Sequence, residues 1–440
     1  MTLEGQIRHF AELTPRKTAV ACCGRTLTYA ELWQEIQQEA ARLQLREGEP
    51  HAFLTTQDTG FVVTYCGIHL CGGVAVPLEA SMPAERQAQI RKEIQAAVGL
   101  QASSDILFTT GTTGTSKGVM VSQKAWTANA ENLIDRLGFT SDLLFITAGP
   151  LNHLGCLSKI YPTLMSGATL YIMENLKDLP AFFEVFRLPY ARFATFLVPS
   201  SIRMLLQVAR KELRAVAPKV DFIETGAAAI SQHDMELLCQ TLPHSRLYNT
   251  YASTETGIIC SYEYSRYGCI PGLLGKPMKH SQVRIGEGGR VICSGRTIMS
   301  GYVNAPELTA MILRGGEVYT SDIGSIDEKD GMLRLQGRQD DVINVGGYKV
   351  NPSEVEDAAV SLDAIADCIC VPATHIVVGT VAKLLYVPKA GATVKPRDIV
   401  SHLRGRLEEY KIPLLYEEVG DIRRTYNGKP DRKAYTKETP

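Results

Sequence analysis

The residues Thr109-Thr110-Gly111-Thr112-Thr113-Gly114-Thr115-Ser116-Lys117-Gly118 put five threonines, one serine, three glycines and one lysine into ten positions. Glycines let a backbone turn tightly and aim N–H groups at an oxyanion, hydroxyls add donors, and lysine adds charge. The composition is that of a phosphate cradle, with a polar hairpin turn as the plainer alternative. A Walker loop is excluded. It requires Gly-x-x-x-x-Gly-Lys-Ser/Thr followed by a helix, and here Lys117 lies between Ser116 and Gly118 and leads into a strand-like Val119-Met120-Val121.

Five further segments carry groups able to do chemistry. Pro150-Leu151-Asn152-His153-Leu154-Gly155 precedes an apolar run of small residues. Tyr248 to Gly257 gathers an aromatic ring, hydroxyls and a carboxylate. Tyr319-Thr320-Ser321-Asp322-Ile323-Gly324 sets an acid after a strand. Gly337-Arg338-Gln339-Asp340-Asp341 leads into Gly346-Gly347-Tyr348-Lys349. Thr425 to Arg432 puts Lys429 in a tight Asn-Gly-Lys-Pro turn. Taken singly, each reads equally as solvated surface.

The elements around these segments predict an α/β body. Ile106-Leu107-Phe108 reads as a buried strand, and the hairpin with Val119–Val121 leads to a helix capped by Ser122 and stopped by Gly138. Apolar strands alternate with amphipathic helices to about residue 240, which argues a largely parallel sheet. Ser231 with Asp234 predicts a capping box. Glycine-punctuated runs from Leu273 to Leu335 read as an antiparallel, barrel-like section. The final hundred residues form a small, mobile α+β domain: strands at 342–345, 366–371 and 383–387, a helix opened by Asn351-Pro352-Ser353-Glu354, and a helix with Ile399, Leu403, Leu407 and Tyr410 on one stripe. The expected division is a large N-terminal domain over 1–337, a hinge over 338–341 and a C-terminal lid over 342–440.

Composition narrows the class. The chain has 440 residues, 45% hydrophobic and 21% charged, with net charge −1. That balance supplies no bulk attraction to nucleic acid or an anionic membrane. Gly60 to Leu78 is interrupted by Thr64, His69 and Pro77, so it reads as a buried helix–strand unit rather than a membrane span. The first residues lack the pattern of a signal peptide. Eleven cysteines without a Cys-x-x-Cys pair predict reduced thiols and a cytoplasmic location, with Cys22-Cys23 and Cys368-x-Cys370 as strand core rather than metal ligands.

In this order and spacing the segments resemble the adenylate-forming superfamily: acyl- and aryl-CoA synthetases, peptide-synthetase adenylation domains and beetle luciferases. The resemblance runs from Leu27-Thr28-Tyr29-Ala30-Glu31-Leu32 to Lys429. It implies that Thr110, Gly111, Thr112, Thr113, Gly114 and Lys117 hold the β- and γ-phosphates of ATP, and that Tyr251 stacks on adenine with Asn249 and the Gly226-Ala227-Ala228 backbone at the base edge. Thr254 would reach the α-phosphate, Glu255 bind Mg²⁺, Asp322 receive the ribose hydroxyls, and Arg338 contact ribose or phosphate. Lys429 would bridge the attacking carboxylate and the α-phosphate as charge develops. Asp340 matches the hinge, and Gly346-Gly347 the channel for a pantetheine thiol.

The resemblance also bears on the acid. Amino-acid-activating members place an aspartate where this chain has Leu154, so an α-amino acid is disfavoured; His153, Gly155 and Cys156 match acyl- and aryl-CoA synthetases better. His153 stands either as a wall residue or as a gate of the acyl pocket. Ala252 replaces the family's usual glycine, and its methyl favours a short or flat acid. The implied reaction is acid plus ATP to acyl-adenylate and pyrophosphate, then transfer to CoA. A carrier-protein phosphopantetheine arm is the alternative acceptor. A non-catalytic nucleotide-binding paralogue, which would tolerate loss of Lys429, Glu255 or Asp322, and a luciferase-like oxidase are the remaining alternatives.

Overall fold

The computed structural model describes residues 2–97, 100, 104–109, 117–339, 341–345, 348–375, 379–425 and 430–436. Its largest sheet has eight strands in the spatial order Gly257–Glu263, Arg246–Ser253, Val220–Gly226, Arg192–Leu197, Leu143–Thr147, Thr169–Ile172, Thr18–Cys22 and Arg25–Thr28. The six inner strands are parallel and the two edge strands antiparallel. A second sheet runs Gly301–Tyr302, Lys117–Val121, Asp105–Thr109, Val74–Leu78 and Pro50–Leu54. The helices between parallel strands cover both faces of such sheets, which makes inner strands such as Leu143–Thr147 buried throughout.

The hairpin at the glycine–threonine segment is present. Thr109 faces Lys117 across an antiparallel pair. The next helix, Gln123–Leu137, has Ser122 accepting from the Ala125 N–H, and Gly138 ends it with φ +73°. The segment from Leu273 to Arg338 is antiparallel throughout, in the order Leu273–Gly275, Leu333–Arg338, Glu317–Ile326, Arg290–Gly295 and Ser281–Ile285, with Leu313–Arg314 paired to Glu317–Ile326.

The C-terminal part has its own core, built from Val355, Ile365, Cys370, Leu384, Ile399 and Leu403. Strands Ile365–His375 and Gly379–Pro388 pair antiparallel, with Leu415–Glu418 parallel to the second. Helix Pro352–Val360 starts as the sequence predicts, with the Asn351 side chain accepting from the Ser353 N–H. An ion-pair chain ties this part to the body. Arg203, on helix Pro199–Val208, reaches Asp234 at 2.8 Å and Asp367 at 2.7 Å, and Asp367 also holds Arg424.

Three expectations are corrected. The Ser231 cap forms, but Asp234 does not return the bond, because Arg203 occupies its carboxylate through two hydrogen bonds. The helix carrying Ile399 and Leu403 stops at Arg404, where Gly405 follows, so Leu407 and Tyr410 lie beyond it. Cys23 is exposed in the turn closed by Gly24 (φ +81°) rather than buried in a strand. The described cysteines are free thiols. Among the described residues no helix is long and apolar enough to cross a membrane.

One buried polar network stands beneath the second sheet. His69 lies between Glu4 (3.0 Å) and Asp105 (3.6 Å), and Asp105 also accepts from Trp126 Nε1 at 2.6 Å and from the Ser104 hydroxyl. Burial alone would lower the imidazole, but the Asp105 and Glu4 carboxylates outweigh it and push it up to about 10. The three residues tie the first helix, the Thr59–Leu70 helix and the strand that feeds the glycine–threonine segment.

Candidate active site

Residues remote in sequence meet at the ends of these sheets. Tyr251, on strand Arg246–Ser253, donates its hydroxyl to Asp322 Oδ2 at 2.5 Å. Asp322 is the cross-strand partner of Arg338, whose Nε is 3.4 Å from Asp322 Oδ1. Burial first, and the Asp322 charge second, push the Tyr251 phenol up, so it remains a donor. The predicted adenine, ribose and phosphate contacts therefore form one cluster built on two sheets.

The neighbouring strand end carries the residues predicted for the base edge. Gly226 is paired with Thr250, and a Cβ at Gly226 would sit 2.8 Å from the Thr250 carbonyl oxygen. Ala227 has φ +69°, a left-handed conformation that costs a non-glycine residue on the order of 1 kcal/mol or more and is concentrated at functional sites. Asn249 is buried, and its Nδ2 donates to the Leu273 carbonyl at 3.4 Å.

Glu255 follows Thr254 in the turn between the last two strands of the large sheet. Its Oε1 accepts from the Tyr302 hydroxyl at 2.9 Å, and the Lys117 ammonium lies over the Tyr302 ring at 5.7 Å. Burial, then the Glu255 charge, pushes the Tyr302 hydroxyl upward, which again fixes it as a donor. Tyr302 thus links the base of the glycine–threonine hairpin to the acid. Among the described residues no group of three or more His, Cys, Asp or Glu could hold a metal by protein ligands alone. A single carboxylate suits Mg²⁺ if phosphate oxygens and water complete its shell.

The other side of the site is apolar at its rim. His153 is the N-cap residue of helix Leu154–Met165, and Leu154 packs against the main core together with Ala252. Gly155 faces Phe196, with a Cβ position 2.8 Å from Phe196 Cε1. Thr110, Gly111, Thr112, Thr113, Gly114, Asp340, Gly346, Gly347 and Lys429 lie outside the described residues. Arg424 and Pro430 form an antiparallel bridge.

Comparison with known proteins gives the same grouping. The family described as AMP-binding enzyme matches residues 7–105 and 103–303, and the AMP-binding enzyme C-terminal domain matches residues 354–429. The chain belongs to the AMP-binding enzyme family. Among curated AMP-binding relatives, a feruloyl-CoA synthase from Amycolatopsis is 26% identical over 479 aligned residues, covering 95% of each chain. The 3-[(3aS,4S,7aS)-7a-methyl-1,5-dioxo-octahydro-1H-inden-4-yl]propanoyl:CoA ligase of Rhodococcus jostii is 28% identical over 345 residues, 76% of this chain and 65% of that one. The chain thus spans a little less than two thirds of that relative's length. ATP-bound MatB from Rhodopseudomonas palustris shares the fold, with TM-score 0.86 at 23% identity over 100% of this chain and 99% of that one.

Two residues of this AMP-binding enzyme's site were not singled out from sequence. Tyr302 lies in a two-residue strand whose only signal is Gly301 before it. Phe196 reads as ordinary strand core, and its place against Gly155 depends on the helix that crosses the sheet.

Proposed function

We propose that this AMP-binding enzyme joins a carboxylic acid to ATP as an acyl-adenylate and then passes the acyl group to the thiol of CoA. The observation that carries the reading is the pair of groups Tyr251–Asp322–Arg338 and Glu255–Tyr302–Lys117, joined through the strand that holds Tyr251 and the turn after it that holds Glu255. One brings together an aromatic ring, a carboxylate for the ribose hydroxyls and a guanidinium. The other offers a carboxylate and an ammonium for the phosphate end. Gly226, Ala227 and Asn249 present the base edge, and Thr254 the α-phosphate. Thr110, Gly111, Thr112, Thr113, Gly114 and Lys117 hold the β- and γ-phosphates. Glu255 would hold Mg²⁺, whose charge offsets that of the phosphates.

In the first half-reaction a carboxylate oxygen attacks the α-phosphorus and the bond to the β-phosphate oxygen breaks, releasing pyrophosphate. Two anions approach each other, and the Lys429 ammonium offsets that repulsion in the transition state. In the second, the CoA thiol gives its proton to solvent, sulfur attacks the acyl carbonyl carbon, and the bond from that carbon to the phosphate oxygen breaks, releasing AMP. Gly346 and Gly347 would leave the thiol's path clear, and Asp340 would be the pivot between the two arrangements.

The test is acid-dependent ATP–pyrophosphate exchange over aryl, short-chain and long-chain acids, followed by thioester assay with CoA and with a phosphopantetheinyl carrier protein. Exchange with none of the acids overturns adenylation; thioester on the carrier alone overturns CoA as acceptor. Asp340→Pro fixes φ near −65° at the pivot. It should retain exchange and slow thioester formation, and an unimpaired second step would remove the pivot from the scheme.

A further inference from the structure

Lys159 and Glu224 form an ion pair of 2.8 Å with side chains 2% and 0% exposed. Lys159 is four residues after Gly155 on helix Leu154–Met165, so both residues share one helix face. Glu224 is two residues before Gly226 on strand Val220–Gly226, so both share one sheet face. Phe196 joins the two faces. Its ring touches the Cβ positions of Gly155 (2.8 Å) and Gly226 (3.7 Å), and the Lys159 ammonium sits over it at 5.0 Å. The pair therefore lies one layer behind the wall on which His153, Leu154 and Gly155 begin.

The pair is short of donors. Glu224 Oε1 accepts from Lys159, while Glu224 Oε2 is buried with no hydrogen-bond partner among the described residues, and the side-chain oxygen of Asn152, next to His153, is in the same condition. A buried carboxylate oxygen without a donor is costly, and it is an acceptor open to a hydrogen bond from a group that comes within reach. Both oxygens stand where parallel strands end, the usual place for a ligand in an open α/β sheet.

We propose that Lys159 and Glu224 select an acid whose end remote from the carboxylate bears a neutral hydrogen-bond donor, a hydroxyl or an amino group. The inference rests on the acid-activating reading above and supplies its substrate class. A hydroxyl satisfies both partners at once: it donates to Glu224 Oε2 and accepts from Lys159. A remote ammonium would meet the Lys159 charge, and a remote carboxylate would meet Glu224. Phe196 covers the pair, so the ring turns aside as the ligand's far end enters.

The experiment is pyrophosphate exchange with matched acids that differ only in the remote group: 4-hydroxy-, 4-amino-, 4-methoxy- and unsubstituted benzoate, and a short aliphatic acid with and without a terminal hydroxyl. The wild-type enzyme should favour the donor-bearing member of a pair by roughly ten- to hundredfold in kcat/KM, as a hydrogen bond to a charged group allows. The hydroxyl and amino arms identify which donor is read. The double variant Lys159→Met/Glu224→Met replaces the ion pair by side chains of similar volume, a change that buried pairs often tolerate. In it the ratio should fall to near one, with thermal unfolding checking that the protein is folded. A lesser probe, Phe196→Ala, should raise kcat/KM for bulkier hydroxylated acids. A wild-type ratio within twofold of one for every pair, or a ratio unchanged in the double variant, overturns the inference while leaving adenylation intact. No exchange with any acid overturns adenylation, and this inference falls with it.

Discussion

Tyr251 and Ala252 are consecutive residues on one strand, and they belong to different halves of the proposed site. Tyr251 packs with Ile259, Cys260, Leu274 and Val291 under the antiparallel section, and its hydroxyl is held by Asp322. Ala252 packs against the main core, on the side of Leu154 and Phe196. Successive side chains on a strand point to opposite faces, so the strand itself divides the proposed nucleotide half from the proposed acyl half. The nucleotide half is rich in partnered polar groups: Tyr251 with Asp322, and Tyr302 with Glu255. The acyl half keeps a buried carboxylate with one oxygen unpartnered. Asp105 also has a buried oxygen without a donor among the described residues, but its other oxygen takes Trp126 and Ser104 and lies 3.6 Å from the His69 imidazole. Glu224 has Lys159 alone. The nucleotide half also keeps one such group, Arg338 Nε, which has no hydrogen-bond acceptor among the described residues, so each half retains a polar atom for a ligand to meet.

The largest effect should come from Lys429→Ala, which tests whether the nucleotide half does chemistry without regard to the acid. Loss of a positioned donor to developing charge costs roughly 10²–10³-fold in rate. Pyrophosphate exchange should fall by about that factor with every acid, while thioester formation from supplied acyl-adenylate survives. A loss confined to some acids would place the lysine in the acyl half instead.

The scaffold under the nucleotide half comes next. His69→Phe leaves Glu4 and Asp105 without their buried cation, and breaking a buried pair in this way costs about 3 kcal/mol. Its pH signature follows from the direction of the shift. The imidazole is pushed up to about 10 from an ordinary 6.5, so the folded state binds the proton more tightly. That stabilisation is complete below about pH 6.5 and is lost as pH rises toward 10. The wild-type Tm should therefore fall across this window more steeply than that of the variant. Parallel slopes would mean that His69 is neutral in the folded protein.

The two halves were not equally legible in the sequence. The nucleotide half uses residues with little reason to cluster unless they bind something: threonines among glycines, an acid after a strand, a Tyr-x-x-x-Glu turn. The hairpin, the Ser122 cap and the Gly138 stop are local events, and local chemistry predicts them. Asp234 shows the limit, since its side chain fits a capping box until Arg203, thirty-one positions away, takes it. Lys159 and Glu224 show it again. A lysine in an apolar helix and a glutamate in an apolar strand are unremarkable until the sheet order brings them together. Their meaning lies in a long-range contact, and spacing carries no record of it.

Tyr302→Phe sharpens the comparison from the nucleotide side. It removes one hydroxyl, the donor to Glu255, and keeps the ring beneath Lys117. A hydrogen bond to a charged group is worth about 1.5–3 kcal/mol at most, so kcat/KM for exchange should fall by about tenfold. The loss should be the same for all acids and should be eased in part by raised Mg²⁺. A variant that changes the preference among acids, without a change in Mg²⁺ dependence, would move Tyr302 across the dividing strand.

The smallest effect should come from Ala252→Gly, one residue from Tyr251 and on the opposite face. It removes a single methyl from the acyl half, and a methylene-sized group is worth about 0.8 kcal/mol. Straight-chain acids longer by one or two carbons should gain roughly three- to fourfold in kcat/KM relative to short or aryl acids, and KM for ATP should stay where it is. The strand is already irregular between Tyr251 and Ala252, so the added backbone freedom has a place to act. If it acts, KM for ATP will rise with every acid, because Tyr251 will have moved. The two constants separate the outcomes: a change in acid preference alone means that the strand insulates one half from the other, and a matching change in ATP binding means that the halves are coupled through it.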